Sequence, residues 1–315
     1  MTLRRVRLTL RLHRFEVYAF GVTLVFLSIA AFAVATYIDG LKPGPACFPE
    51  LNEPTAACRV ALDKYWGAQQ SLGTLLGTPT LIVTSVIGLF LGVPIVGREL
   101  ERGTTRLAWS LAPSRWGWYL SRVLPMAVVV VVASFVAGIA MDRFFAASTP
   151  NQDLTQSFAG YGARGSLLAA RALFLFGLSV IAGAVIGRAL PALIVAGLLG
   201  AVLLSAGENF YQSVLLRQEA VPVAMTDYTY QGNQPLYFDA RWQLPDGTLV
   251  GYEYFGDQGP PYDENTGEPT YPQFQLLVPG TEYRWVEARE AAALVGASVV
   301  AILIAGVIVQ RRRPG

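Results

Sequence analysis

Few side chains in this sequence could carry covalent or metal chemistry, and that scarcity excludes whole classes of function. His13 is the single histidine, so neither a histidine-based triad nor an H-E-x-x-H zinc site can be assembled within one chain. Lys42 and Lys64 are the only lysines, and neither stands in G-x-x-x-x-G-K-[ST], which removes nucleotide hydrolysis by a P-loop. Cys47 and Cys58 alone cannot complete a zinc site. No catalytic residue, no metal site and no enzymatic activity are therefore expected. What remains is a polar, arginine-rich stretch from Gly97 to Arg122, GRELERGTTRLAWSLAPSRWGWYLSR, whose acids, arginines and tryptophans suit recognition of another protein.

That stretch must be held by its flanks, and both flanks are apolar. PTLIVTSVIGLFLGVPIV precedes it and VLPMAVVVVVASFVAGIA follows it, each long enough to cross a bilayer, so its two ends lie at one membrane face. The whole chain is 53% hydrophobic and 15% charged, with mean hydropathy +0.42, whereas soluble domains carry about a quarter charged residues. The expected fold class is an all-α polytopic membrane protein with six transmembrane helices and a small β-containing extracytoplasmic lobe between helices five and six.

The spans are expected at Val17 to Ile38, Leu75 to Val96, Arg122 to Ala140, Leu167 to Gly187, Ala192 to Ala206 and Ala288 to Val309. Residues 1–16 carry five arginines (Arg4, Arg5, Arg7, Arg11 and Arg14) and read as a cytoplasmic segment lying on the membrane surface, the alternative being a disordered basic tail. A basic start and the small residues between Ala31 and Ala35 also fit a cleavable signal peptide, but the segment is read as a retained span. Residues 17–206 hold helices one to five with the polar element 97–122, residues 207–287 the lobe, and residues 288–315 helix six with a basic tail. In the lobe, LYFDARWQL, TLVGYEYF and FQLLV read as strands, the first two joined through Pro245-Asp246-Gly247, while NFYQSVLLRQEA reads as a surface helix.

Charge orients the chain. The face that would hold both termini carries fourteen arginines against Glu16, Glu99 and Glu101, while nineteen of the 22 acids fall on the other side. Short arginine-rich loops belong inside, which places both termini in the cytoplasm. The loop with Cys47 and Cys58 is then outside, where the two can close a disulfide, the alternative being two unpaired thiols. Within the polar stretch Gly103 should end the helix running on from span two, and Thr104 should cap a short helix ending before Pro113. The competing reading is a solvated connection whose Trp109, Trp116 and Trp118 merely serve the membrane interface.

RELERGTTRLAWSLAPSRWGW resembles the stretch after the second span of ABC type-2 transporter permeases, in which an acid-rich segment, Gly-Thr and a later Pro-x-Arg recur. The six-span layout and the ending YRWVEAREAAALVGASVVAILIAGVIVQRRR are similar to that family as well. The resemblance implies that the stretch is a coupling helix seated on a separate ATP-binding subunit, with Glu99, Glu101, Gly103, Thr104, Leu107, Pro113 and Arg115 at matching positions; Arg102 and Arg106 join them on charge grounds. It implies no cofactor in this chain, ATP and Mg being held by the partner, and a homodimer in membrane lipid with no nucleic acid involved. Arg171 near the start of span four either snorkels to the interface or pairs with Glu208 or Glu290 as an outer gate. The expected function is the permease subunit of an ATP-driven exporter of a hydrophobic or amphiphilic compound. The alternative is a membrane receptor or assembly factor whose lobe binds a ligand and whose inner loop recruits a partner.

Overall fold

The computed structural model describes residues 9–44, 47, 55–104, 109–110, 114–150, 152–224, 233–262 and 270–312. The N-terminal Arg4, Arg5 and Arg7 and the tail Arg313 lie outside the described residues. The chain divides into two compact units, the first Met1–Pro150, Gly160–Val202 and Glu287–Gly315, the second Asn151–Ala159 and Leu203–Val286.

Among the described residues six helices are long and apolar enough to cross a membrane, and the chain is a multi-pass membrane protein. They are α1 (Arg14–Leu41), α2 (Ala56–Glu101), α3 (Arg115–Ser148), α4 (Gly165–Ile186), α5 (Ala189–Phe210) and α6 (Tyr283–Arg311). In lipid every backbone group must be paired within its segment, so even the β-branched VVVVVAS run of α3 is helical. α2 departs most from expectation. It starts at Ala56, where the Thr55 side chain accepts from the Cys58 N–H, and so runs about 19 residues beyond the expected start of its span. The loop expected between spans one and two is correspondingly short. It is closed by the Cys47–Cys58 disulfide, with Cα atoms 5.1 Å apart.

α4 is the helix the others close on; two thirds of its apolar window is buried, against 17% for α1 and α5. Glycine makes this possible. A Cβ at Gly88 of α2 would stand 2.3 Å from the Ala172 carbonyl oxygen, and one at Gly92 would stand 1.8 Å from Ser179 Oγ. The two glycines are one helical turn apart, so the α2 and α4 backbones meet along a G-x-x-x-G seam, as small residues allow inside a membrane. Ser179 Oγ donates across it to the Gly88 carbonyl at 3.1 Å, and Ser298 Oγ of α6 likewise donates to the Leu173 carbonyl at 2.7 Å.

The second unit carries an antiparallel sheet of β1 (Val221–Ala224), β2 (Leu236–Gln243), β3 (Leu249–Val250) and β4 (Gln273–Val278), in the order β1-β4-β2-β3. Trp242 pairs with Val250 and with Gln273 and packs edge-on against Tyr252 and Phe255. The expected turn forms as read. Gly247 adopts φ 85°, its N–H donates to the Leu244 carbonyl, and Asp246 accepts from the Thr248 N–H. Two details differ from the sequence reading. TLVGYEYF is a strand only at Leu249–Val250 before a 3₁₀ segment at Tyr252–Gln258, and β1 was not foreseen. NFYQSVLLRQEA is no separate surface helix, because α5 continues through a π-helical stretch, Tyr211–Leu216, into Arg217–Glu219.

Candidate functional site

α2 ends within the polar stretch, and the manner of its ending sets the site. Gly103 takes φ 67°, its N–H donates to the Leu100 carbonyl, and the Thr104 N–H reaches back to the Glu99 carbonyl at 3.2 Å. This is a Schellman motif, with Gly103 in the left-handed position where glycine carries no Cβ penalty. Thr104 therefore serves the end of α2, its hydroxyl also donating to the Glu99 carbonyl, in place of the N-cap role expected for it. Trp109 and Ser110 are helical, and α3 begins at Arg115 behind Ser114, whose side chain accepts from the Gly117 N–H at 3.0 Å. Ser114 was missed in the sequence, although a serine just before an apolar helical run is a readable cap. Arg106, Leu107 and Pro113 lie outside the described residues.

Five charged residues of the stretch, Arg98, Glu99, Glu101, Arg115 and Arg122, are tied to other parts of the first unit. Glu99 pairs with Arg122 of α3, both largely shielded from solvent. Arg98 donates to Glu16 of α1 at 2.8 Å. Glu101 Oε2 accepts from the Ala189 N–H at 3.0 Å and so satisfies an orphan donor at the start of α5. Arg115 Nη1 donates to the Gln310 and Arg312 carbonyls, both at 3.0 Å, at the end of α6, where cations are favoured. Arg312 closes the ring by donating to the Ala184 carbonyl of α4 at 2.6 Å.

Aromatic rings fill the space between these ties. The Arg115 guanidinium lies 4.5 Å from the Trp109 ring centre, Trp109 meets Trp118 edge-on at 6.2 Å, and the Arg122 guanidinium lies 5.3 Å from the Trp118 ring centre. Trp116 packs where a Cβ on Gly306 of α6 would stand 2.0 Å away, and the Tyr119 hydroxyl donates to the Ile302 carbonyl at 2.6 Å. Trp109 and Trp118 thus face inward. Among the described residues of the stretch, Glu101, Arg102, Gly103, Thr104, Ser110 and Ser114 are exposed and form an accessible rim. His13 lies buried near Glu16, Arg98 and Arg122, and burial holds its pKa below the ordinary imidazole value.

A second polar cluster lies at the opposite end of the first unit. Arg171 Nη2 donates to Glu290 Oε1 at 3.1 Å, and the Tyr161 hydroxyl donates to the other carboxylate oxygen. Gly162, at φ 81°, leaves room for the guanidinium, since a Cβ there would stand 2.7 Å from Arg171 Nη1. Glu287 accepts from the Ser166 N–H and hydroxyl at 2.9 and 3.0 Å and so caps α4. Glu208, the other expected partner of Arg171, belongs to the second unit, where its carboxylate accepts from Gln212 Nε2 at 3.3 Å.

No curated protein and no solved structure matches the chain. One family model does match, that of ABC-2 membrane transporter related proteins, over residues 17–209. That span holds α1 to α5, save the first three residues of α1 and the last of α5, and the whole polar element, and the chain belongs to the ABC-2 membrane transporter related family.

Proposed function

We propose that the chain is the permease subunit of an ATP-driven exporter that moves a hydrophobic or amphiphilic compound outward, coupled through residues 97–122 to a separate ATP-binding subunit. One observation carries the reading. The two helix ends that bracket the short element, the last turn of α2 and the first turns of α3, are bonded by side chains to each other and to α1, α5 and α6, so a push on the exposed rim reaches all of these helices. The family is one of transport subunits that work with an ATP-binding partner, and this sequence contains no P-loop of its own.

In this reading Arg102, Gly103 and Thr104 touch the partner, with Arg106, Leu107 and Pro113 alongside them. Glu99, Glu101 and Arg115 act as positioning residues that pass its movement to the bundle. Closure of the ATP-binding subunits shifts the element and tilts α1 to α3. The Arg171–Glu290–Tyr161 cluster serves as the gate at the far end, and Arg171→Ala should change basal transport. Two copies of the chain pair in the membrane; α1 and α5 leave most of their apolar surface uncovered within one chain, a surface that lipid and a second copy share. The arginine-rich face lies in the cytoplasm of a bacterial inner membrane.

The test is affinity purification of the tagged chain from its native membrane. A co-purifying P-loop protein whose ATPase activity rises on reconstitution with this chain is the expected result. Absence of any ATPase, with a ligand bound to the lobe instead, would favour the receptor reading.

A further inference from the structure

The end of α2 remote from Gly97–Arg122 borders an open cleft of about 460 Å³ whose other wall is α3. Its size lies in the range that holds a small organic molecule. Trp66 stands at its edge, and Phe144 and Phe145, whose rings are 5.4 Å apart and nearly perpendicular, form walls. Gly73 allows the close approach, because a Cβ there would already stand 3.3 Å from Phe144 Cζ. The Tyr65 hydroxyl, donating to the Ala147 carbonyl at 2.8 Å, holds α2 and α3 together beside it.

Two polar atoms in this lining are buried without a hydrogen-bond partner among the described residues, Gln69 Oε1 and Ser148 Oγ, and Ser148 is 1% exposed. A buried unpaired acceptor costs roughly 1–3 kcal/mol, so a site that keeps two such atoms beside an open cavity is suited to a ligand that pairs with them. The amide oxygen demands a donor, and the hydroxyl can either give or accept. No lining residue is ionisable, so a cation or anion would find no counter-charge there. Along α2, Gly73 stands roughly 36 Å from Gly97 at about 1.5 Å per residue, slightly more than the ~30 Å hydrocarbon core. With Gly97 at one face of the bilayer, this distance would put the cavity at the other interface, where amphiphiles concentrate.

We propose that this cavity is a binding site for a neutral amphiphile that lays a flat aromatic group against Trp66, Phe144 and Phe145 and offers an N–H or O–H donor to Gln69 Oε1, with Ser148 as the second polar contact. The site stands apart from the coupling reading, since its occupancy is measured without an ATPase.

N-phenyl-1-naphthylamine, a neutral fluorophore with one N–H, is titrated into the full chain in lipid nanodiscs and into empty nanodiscs of the same lipid, beside its N-methyl analogue, which lacks the donor. The expected result is saturable binding of one probe per chain, about tenfold tighter for the N–H compound, the difference being one hydrogen bond. Gln69→Leu should erase that preference, and Thr74→Trp should fill the cavity and abolish binding of both. The wild-type comparison of the two probes needs no variant and so survives a misfolded mutant. Fluorescence that follows lipid content as in empty nanodiscs, equal affinity for both probes, or binding that persists in Thr74→Trp would each overturn the proposal.

Discussion

Glu99, three residues before the C-cap of α2, is ion-paired with Arg122 in the second turn of α3, and the same guanidinium lies over the Trp118 ring. Shielding on both sides makes this pair stronger than an exposed one. Replacing either partner leaves the other shielded and unpaired, so Glu99→Gln and Arg122→Gln should each lower thermal stability. A double-mutant cycle should return a coupling of about 1–3 kcal/mol.

The α2–α4 seam predicts a larger effect. Gly92→Leu drives a side chain into Ser179 and the Phe176 carbonyl, where even a Cβ would stand 2.8 Å from that oxygen. Overpacking of this kind costs about 1–3 kcal/mol or more. The expected outcome is a sharp drop in monodisperse protein on size-exclusion chromatography. Gly21→Leu, at a site with open space around it, should behave as wild type.

His13 predicts a pH dependence. Its pKa in the folded chain is lowered, by burial first, with Glu16 opposing that shift and Arg122 and Arg98 adding to it. The unfolded chain, with a histidine pKa of about 6.5, therefore takes up the proton first, and stability falls as pH drops below that value. Thermal unfolding at pH 7.5 and 5.5 should show a loss at the lower pH that His13→Leu reduces.

The spans were legible because apolar blocks in lipid leave helix as the only way to pair the backbone, and the Pro-Asp-Gly turn was legible because its chemistry is local. The N-terminal extension of α2 was not, since Lys64, Asp63 and the glycines between Gly67 and Gly77 resemble a loop, and only Thr55 before Ala56 marks the start. GLFLG at Gly88–Gly92 was readable as a close-packing motif and went unread among many small residues. The site was half legible. Gly103 as the break followed from glycine alone, whereas the pairing of Glu99 with Arg122 and of Glu101 with the Ala189 N–H joins residues far apart in sequence, which no local pattern reveals. Glu99, which looks available on paper, is held inside, and Glu101 is exposed but bonded to α5, while Arg102 to Thr104 stand on the rim.

That division predicts a phenotype for the rim. Arg102→Glu, on the exposed rim, should abolish stimulation of the co-purifying ATPase with no loss of thermal stability, because it is placed to meet the partner and not the bundle.

The ratio of substrate transported to ATP hydrolysed in proteoliposomes measures how well Gly97–Arg122 converts movement of an ATP-binding partner into movement of the helices. Glu99→Gln should give a complex that still assembles and still hydrolyses ATP, with the ratio reduced about tenfold or more. An unchanged ratio in an assembled complex would contradict it.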